Sequence, residues 1–312
     1  MRPLPVVSRA TGAALAVAML SGCAAGLGSI DRAEKGPRGA SARELGRAGF
    51  AAYLSRNDGG TAEHRFAEAV RRDPQDPWAR LGASLMARRR LDDAAEVAQL
   101  LALVEGAPAH PLVPLAARRL GVLAELAPPR AREVEAGLAQ VQPRLAGLAA
   151  ARARAARAAA AAALGDGARA HLLRAQGGAI TAFSLVGPFG GLHALEIDTR
   201  FEPEAGALPA SAPAWGGLPP VPARPVSCPD GAIDLDAEPL EGDIFYLAAD
   251  ATPSRGGDYL LIMAGTSTLR AFVDGAPVAE RRAYAGFPPV AQVVPISLAP
   301  GRHRLLVKIG RG

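Results

Sequence analysis

The hydrophobic pattern of this chain changes character three times, and each change predicts a boundary. Between Ala10 and Leu20 nearly every position is apolar, behind the charges of Arg2 and Arg9. That run is about half of the roughly 20 residues a helix needs to cross a bilayer, so residues 1–22 read as a cleaved export signal. The pattern then lapses into glycine, alanine and charge, which predicts a linker over residues 23–40. From Ser41 to Gly177 apolar positions recur at helical spacing. Turn residues interrupt them at Asn57-Asp58-Gly59-Gly60, Asp73-Pro74, Gly106 to Pro111, Pro128-Pro129 and Gly165-Asp166-Gly167, predicting a domain of short antiparallel helices over residues 41–177. At Ile180 the period falls towards two. Ala182 to Gly190 reads as a strand running into a tight turn, residues 203–231 are too rich in proline for a long regular element, and further strands are predicted at Ile244–Ala248, Tyr259–Ala264, Leu269–Val273, Val290–Ser297 and His303–Ile309. The expected fold class is α+β multidomain, a helical-repeat domain followed by an antiparallel β-sandwich over residues 180–312. Gln176-Gly177-Gly178-Ala179 forms the hinge, because glycine caps a helix in the left-handed conformation without strain. The sandwich is expected to be the weaker unit, incomplete at its C-terminus and left with an unpaired edge.

Stretches along the chain resemble four known families. Leu20-Ser21-Gly22-Cys23 resembles the lipobox of bacterial lipoproteins, which implies cleavage before Cys23 and a lipid on its thiol. Each buried acyl CH₂ contributes about 0.8 kcal/mol, so several chains make a lasting anchor. Ala62, Phe66, Ala69 and Pro74, and then Trp78-x-x-Leu81-Gly82-x-x-Leu85 followed by Ala94, resemble tetratricopeptide repeats. The resemblance implies that Gly82 and Ala94 are small so that helices can approach, while Trp78, Leu81 and Leu85 cover them from one face. The first repeat departs from the pattern, with Gly49 and Phe50 out of register by about one residue, and beyond Pro111 the likeness fades into alanine-rich helix. Phe183-x-x-Val186-Gly187-Pro188-Phe189 with Phe201-x-Pro203-Glu204 is similar to the front part of large exported transglutaminase-like proteins. Arg270-Ala271-Phe272-Val273-Asp274-Gly275 and the Pro300-Gly301 turn are similar to galactose-binding-like jelly rolls.

Composition narrows the function. The net charge of +5 is modest for 312 residues, and lysine occurs only at Lys35 and Lys308, so a nucleic-acid partner is not expected. Arg88-Arg89-Arg90 reads as a solvated helix end. Aromatics make up only 4%, so the cores should be built from small side chains. With Cys23 lipidated, Cys228 is left alone in a proline-rich connector, as an unreactive thiol. The five histidines have no metal-ligand spacing, and neither Gly-x-Ser-x-Gly nor a phosphate loop occurs, so no catalytic residue, metal or cofactor is expected. Asp234, Asp236, Glu238, Glu241 and Asp243 read as a solvated connector rather than a calcium loop, and Trp215 as a core ring rather than a sugar platform.

These readings converge on a non-catalytic, membrane-anchored lipoprotein whose helical-repeat surface binds a protein or peptide partner at the cell envelope. Ala24 and Ala25 after Cys23 favour the outer membrane, facing the periplasm. The alternatives are the N-terminal part of a longer transglutaminase-like peptidase, and an envelope protein that binds a glycan through the sandwich.

Overall fold

The computed structural model describes residues 39–190, 193–213, 219–228, 233, 235, 244–282 and 290–310. Among them are eight α-helices followed by a mostly antiparallel sheet region, so the chain is an α+β protein. It divides into two compact units after Gly167.

The helices are α1 (Ala42–Arg56), α2 (Gly59–Arg72), α3 (Pro77–Arg89), α4 (Asp93–Gly106), α5 (Val113–Leu126), α6 (Ala131–Val141), α7 (Gly147–Ala163) and α8 (Gly167–Gln176). The last begins at the division between the units. Side chains open the first four helices. Ser41 and Glu44 form a capping box on α1, and the carboxylates of Asp58, Asp76 and Asp92 accept from the backbone N–H of Thr61, Ala79 and Ala95 at 3.0, 2.7 and 3.0 Å. The helices α5, α6 and α7 have no side-chain cap. Local sequence therefore dictates the first two pairs more firmly than the later helices.

Phe66 organises the first two pairs. It is fully buried on α2, and a Cβ at Gly82 of α3 would lie 2.1 Å from its ring, one at Gly49 of α1 2.8 Å from it. Both glycines make room for one aromatic ring. The expected reason for Gly82, close approach of helix backbones, is thereby corrected. Phe50 closes the cage edge-on, its centroid 4.8 Å from that of Phe66. Trp78 and Leu81 pack with the core that α4 to α7 share, whereas Leu85 packs with Phe66, so these three residues serve two clusters rather than one face.

Ala94 is a second correction, because it is exposed. The caps explain it: Asp58 and Asp92 stand thirty-four places apart, and the same shift carries the buried Ala62, Phe66 and Ala69 onto Glu96, Leu100 and Leu103, all buried. The helix starts at its aspartate, two residues later than the Ala94 register assumes. Glu96 thus occupies a core position, where Arg119 of α5 meets it with two charge-assisted bonds of 2.7 and 2.8 Å.

Further along, the alanine-rich α7 lies against α5. A Cβ on Gly121 would be 3.1 Å from the Cα of Ala156, so the small residues of both helices let their backbones approach closely.

The second unit centres on a six-stranded antiparallel sheet in the order β4-β1-β5-β10-β7-β8. Its strands are β1 (Ala182–Phe189), β4 (Arg224–Ser227), β5 (Ile244–Ala251), β7 (Thr268–Val273), β8 (Ala276–Arg281) and β10 (His303–Gly310). Two ribbons accompany it, β2 (Ser211–Ala212) with β3 (Val221–Pro222), and β6 (Gly257–Gly265) with β9 (Val290–Leu298). The strand β10 lies between β5 and β7 and is paired along both sides, and among the described residues the sheet's outer strands are β4 and β8. Each edge strand carries a proline, Pro225 and Pro277, which lacks a backbone donor and is tolerated at an edge; the interior β1 holds one, Pro188, only where its register with β5 is interrupted. Pro277 also hides β8 from a reading of alternation.

A segment running from His193 to Glu204 covers one sheet face, where Val186, Phe189, Ile244, Tyr246, Phe272 and Leu306 form the core. Lys308 holds it down from a fully buried position. Its ammonium donates to the carbonyl of Thr199 and to Glu204 Oε1 at 2.9 Å, and stands 5.0 Å from the centroid of Phe201. Tyr246 donates to the same carboxylate oxygen at 2.5 Å. Burial pushes the Lys308 ammonium below its ordinary range against the pull of Glu204, and pushes the Tyr246 phenol up. Phe201-x-Pro203-Glu204 is therefore the covering strap, and Glu204 the counter-charge of the sheet's buried lysine. Gly187 has φ +148°, and a Cβ there would lie 2.9 Å from the carbonyl oxygen of Ile244. That close approach explains the glycine of Val186-Gly187-Pro188-Phe189.

Two turns of this unit are joined by His303. Its Nδ1 is 2.6 Å from Asp274 Oδ2 and its Nε2 is 2.9 Å from the carbonyl of Ala299, while Asp274 Oδ1 accepts from Arg304 N at 2.9 Å. Both ring nitrogens face acceptors, so the imidazolium satisfies both, and the Asp274 bond raises the His303 pKa above its ordinary 6.5. The same bond holds Asp274 below its ordinary 3.8. The histidine contribution is thus complete below pH 6.5 and lost as pH rises through the raised value, whereas that of Asp274 is lost only as pH falls below 3.8. Thermal midpoints of the sheet unit, followed by near-ultraviolet circular dichroism, should fall between pH 6 and pH 9, and His303→Gln should flatten that slope.

Candidate functional site

A groove of about 280 Å³ opens among α2, α3 and α4. Its floor is Ala83, Met86 and Ala87 of α3, and its walls include Ala67 and Val70 of α2 and Ala95 of α4. The depth has a local cause: the floor side chains are small, and the cage around Phe66 fixes α2 against α3.

Arg90 lines one end of the floor, and Arg80 stands on the same helix stripe beyond the other end, behind the lining residue Gln99. Arg80, Ala83, Ala87 and Arg90 follow one another at spacings of three, four and three, which is one stripe of an α-helix. Arg90 pairs with Glu63 across the groove, both side chains about half exposed, at 45% and 49%. Such a pair contributes at most about 1 kcal/mol and is readily exchanged. Arg80 is different. Its Nε donates to the carbonyl of Pro74 at 2.9 Å and its Nη1 to Gln99 Oε1 at 2.7 Å, and burial lowers its pKa from the ordinary guanidinium value. Among the described residues no carboxylate pairs with it. Gln99, its neutral partner, lines the groove.

The residues singled out in the sequence are distributed as follows. The lipobox Leu20, Ser21, Gly22 and Cys23 lies outside the described residues, as do Trp215 and the acidic run Asp234, Asp236, Glu238, Glu241 and Asp243. Phe66 lines the groove, and Pro74, in the turn before α3, supplies the carbonyl that Arg80 holds. Ala69 is buried nearby, with Ala79 and Leu45. Cys228 is buried with its Sγ 3.4 Å from the carbonyl of Thr181. Among the described residues no group of three His, Cys, Asp or Glu could hold a metal ion, and no helix is long and apolar enough to cross a membrane. Sequence reasoning missed the groove, although the stripe from Arg80 to Arg90 was visible in the spacing. It also missed Glu96, which the paired caps Asp58 and Asp92 could have located.

Compared with family models, with curated proteins and with solved structures, the chain matches none. The class of protein is therefore defined by its own architecture, a helical unit that carries an open groove, followed by an antiparallel sheet unit.

Proposed function

We propose that this chain is a lipid-anchored envelope protein, held in the outer membrane through Cys23, whose helical unit binds a peptide segment of a protein partner. The observation that carries the reading is the groove among α2, α3 and α4, a largely apolar trough whose lining also includes the polar side chains of Glu63, Arg90 and Gln99. The thirty-four-place shift between the first two helix pairs equals the tetratricopeptide period, which supports reading α1 to α4 as two repeats of that kind. Such pairs present side chains from successive helices on one surface. The central antiparallel sheet and its accompanying ribbon support a jelly-roll reading of the second unit.

The groove is tested by Ala67→Trp. Ala67 is exposed, so a large ring there fills the trough without disturbing the core. The full chain in non-ionic detergent should retain members of an immobilised peptide array, and the substitution should remove that retention while helical circular dichroism stays unchanged. An array that retains nothing, or retention indifferent to the tryptophan, defeats the reading. The anchor is tested separately, since Cys23→Ala should abolish incorporation of labelled palmitate and shift the chain from the membrane fraction, or leave it unprocessed.

A further inference from the structure

We infer that the segment bound in the groove is acidic as well as apolar, with a carboxylate that meets Arg80 while an aliphatic side chain lies on Ala83 and Ala87. The inference rests on the peptide-binding reading of the same groove and adds the chemistry of the partner.

Three observations combine. The first is placement: Arg80 precedes the groove floor on the same helix stripe and is joined to the groove through Gln99, a lining residue whose Oε1 accepts from its Nη1 at 2.7 Å. The second is the lack of counter-charge. Arg80 is half-buried, and its two hydrogen bonds go to neutral oxygens, the carbonyl of Pro74 and the amide of Gln99. A cation drawn out of water is stabilised by a neutral acceptor less than by a carboxylate, which a guanidinium fork binds in two parallel bonds. Gln99 lines the trough, so an incoming carboxylate can replace its amide oxygen without moving a helix. The third is the other end. Arg90 lies about 15 Å from Arg80 along the axis, taking 1.5 Å per residue, and is already neutralised by Glu63. Among the described residues Arg90 is thus compensated and Arg80, behind Gln99, is not, so the ligand's charge belongs at the Arg80 end.

The floor selects the rest of the ligand. Two alanines and Met86, with Ala67, Val70 and Ala95 on the walls, offer dispersion contact and no donor, so they favour an aliphatic side chain over a polar one. The partner is thus a peptide carrying a glutamate or aspartate within a few residues of a leucine-like side chain.

The probe is a set of immobilised octapeptides, each with one leucine and, one to four residues before or after it, either glutamate or glutamine. The full chain in non-ionic detergent should bind the best glutamate members at least about tenfold more tightly than their glutamine twins, and the preference should shrink as salt is raised. Arg80→Gln should erase the preference, so that glutamate members and their glutamine twins bind the variant alike, and Arg80→Lys should retain part of it. Equal binding of the twins, or a preference that survives Arg80→Gln with helical content intact, overturns the inference and leaves peptide binding by the groove standing. If no member of either kind binds, the groove reading itself fails and this inference with it. If Arg80→Gln loses helical content, Arg80→Lys decides, since it keeps the charge and the stem but not the planar fork: an undiminished preference at lysine overturns the guanidinium–carboxylate pairing.

Discussion

Glu204→Ala should destabilise the sheet unit by about 3–5 kcal/mol, the effect of leaving a buried charge without its partner. Lys308 is fully buried, and the substitution removes the carboxylate that, among the described residues, lies within hydrogen-bond reach of its ammonium, leaving the Thr199 carbonyl and the face of Phe201. The same change takes the acceptor from Tyr246, whose hydroxyl is aimed at Glu204 Oε1. Glu204→Gln should fall between the variant and the wild type, because an amide oxygen still accepts from both donors. The decisive comparison is the double variant Glu204→Ala, Lys308→Met. If the uncompensated ammonium is the cause, the double variant should be more stable than Glu204→Ala alone in urea unfolding followed by near-ultraviolet circular dichroism. A double variant as unstable as the single one would place the loss in packing of the strap instead.

In the helical unit the largest loss should follow Phe66→Ala, about 3–5 kcal/mol for an aromatic ring removed from a closed core. The ring is caged by Gly49, Gly82 and Phe50, and glycines cannot reach into the space it leaves. The cage makes an inverse prediction. Gly82→Ala inserts a Cβ at 2.1 Å from the ring, which neither helix can accommodate at its present separation, and should lose about 1–3 kcal/mol. Combining Gly82→Ala with Phe66→Leu should recover part of that loss, since the smaller side chain frees the space the methyl needs. Helical circular dichroism during urea unfolding measures all three variants. Additive losses in the pair would mean that Phe66 and Gly82 do not share the space.

Much of the fold was legible because local signals agreed with the tertiary outcome. The turn residues Asn57-Asp58 and Asp73-Pro74 lie between helices, and the strands expected at Leu269–Val273 and His303–Ile309 lie within one residue of β7 and β10. Failures occurred where a neighbour distant in sequence decides. Gly82 is small because of a ring on another helix, and Ala94 misled because Asp92 delays the helix start. The strand β8 was hidden by Pro277, which only its position at a sheet edge makes acceptable. The groove was invisible for the same reason, since its floor belongs to one helix but its walls to two others. Glu96 shows the limit most clearly, as a carboxylate in a core position makes sense only once Arg119 is seen beside it.

The position of β10 has a consequence for biogenesis. A ribosome delivers the chain from its N-terminus, so β5 and β7 emerge before the strand that belongs between them. Until residues 303–310 arrive, both present open hydrogen-bonding edges on either side of a gap, while each helix of α1 to α4 can close against a neighbour a few tens of residues away. The sheet unit is therefore a late and all-at-once assembly. A nascent chain released before Leu305 should hold folded helices beside sticky, unzipped strands, the kind of intermediate that holdase chaperones retain.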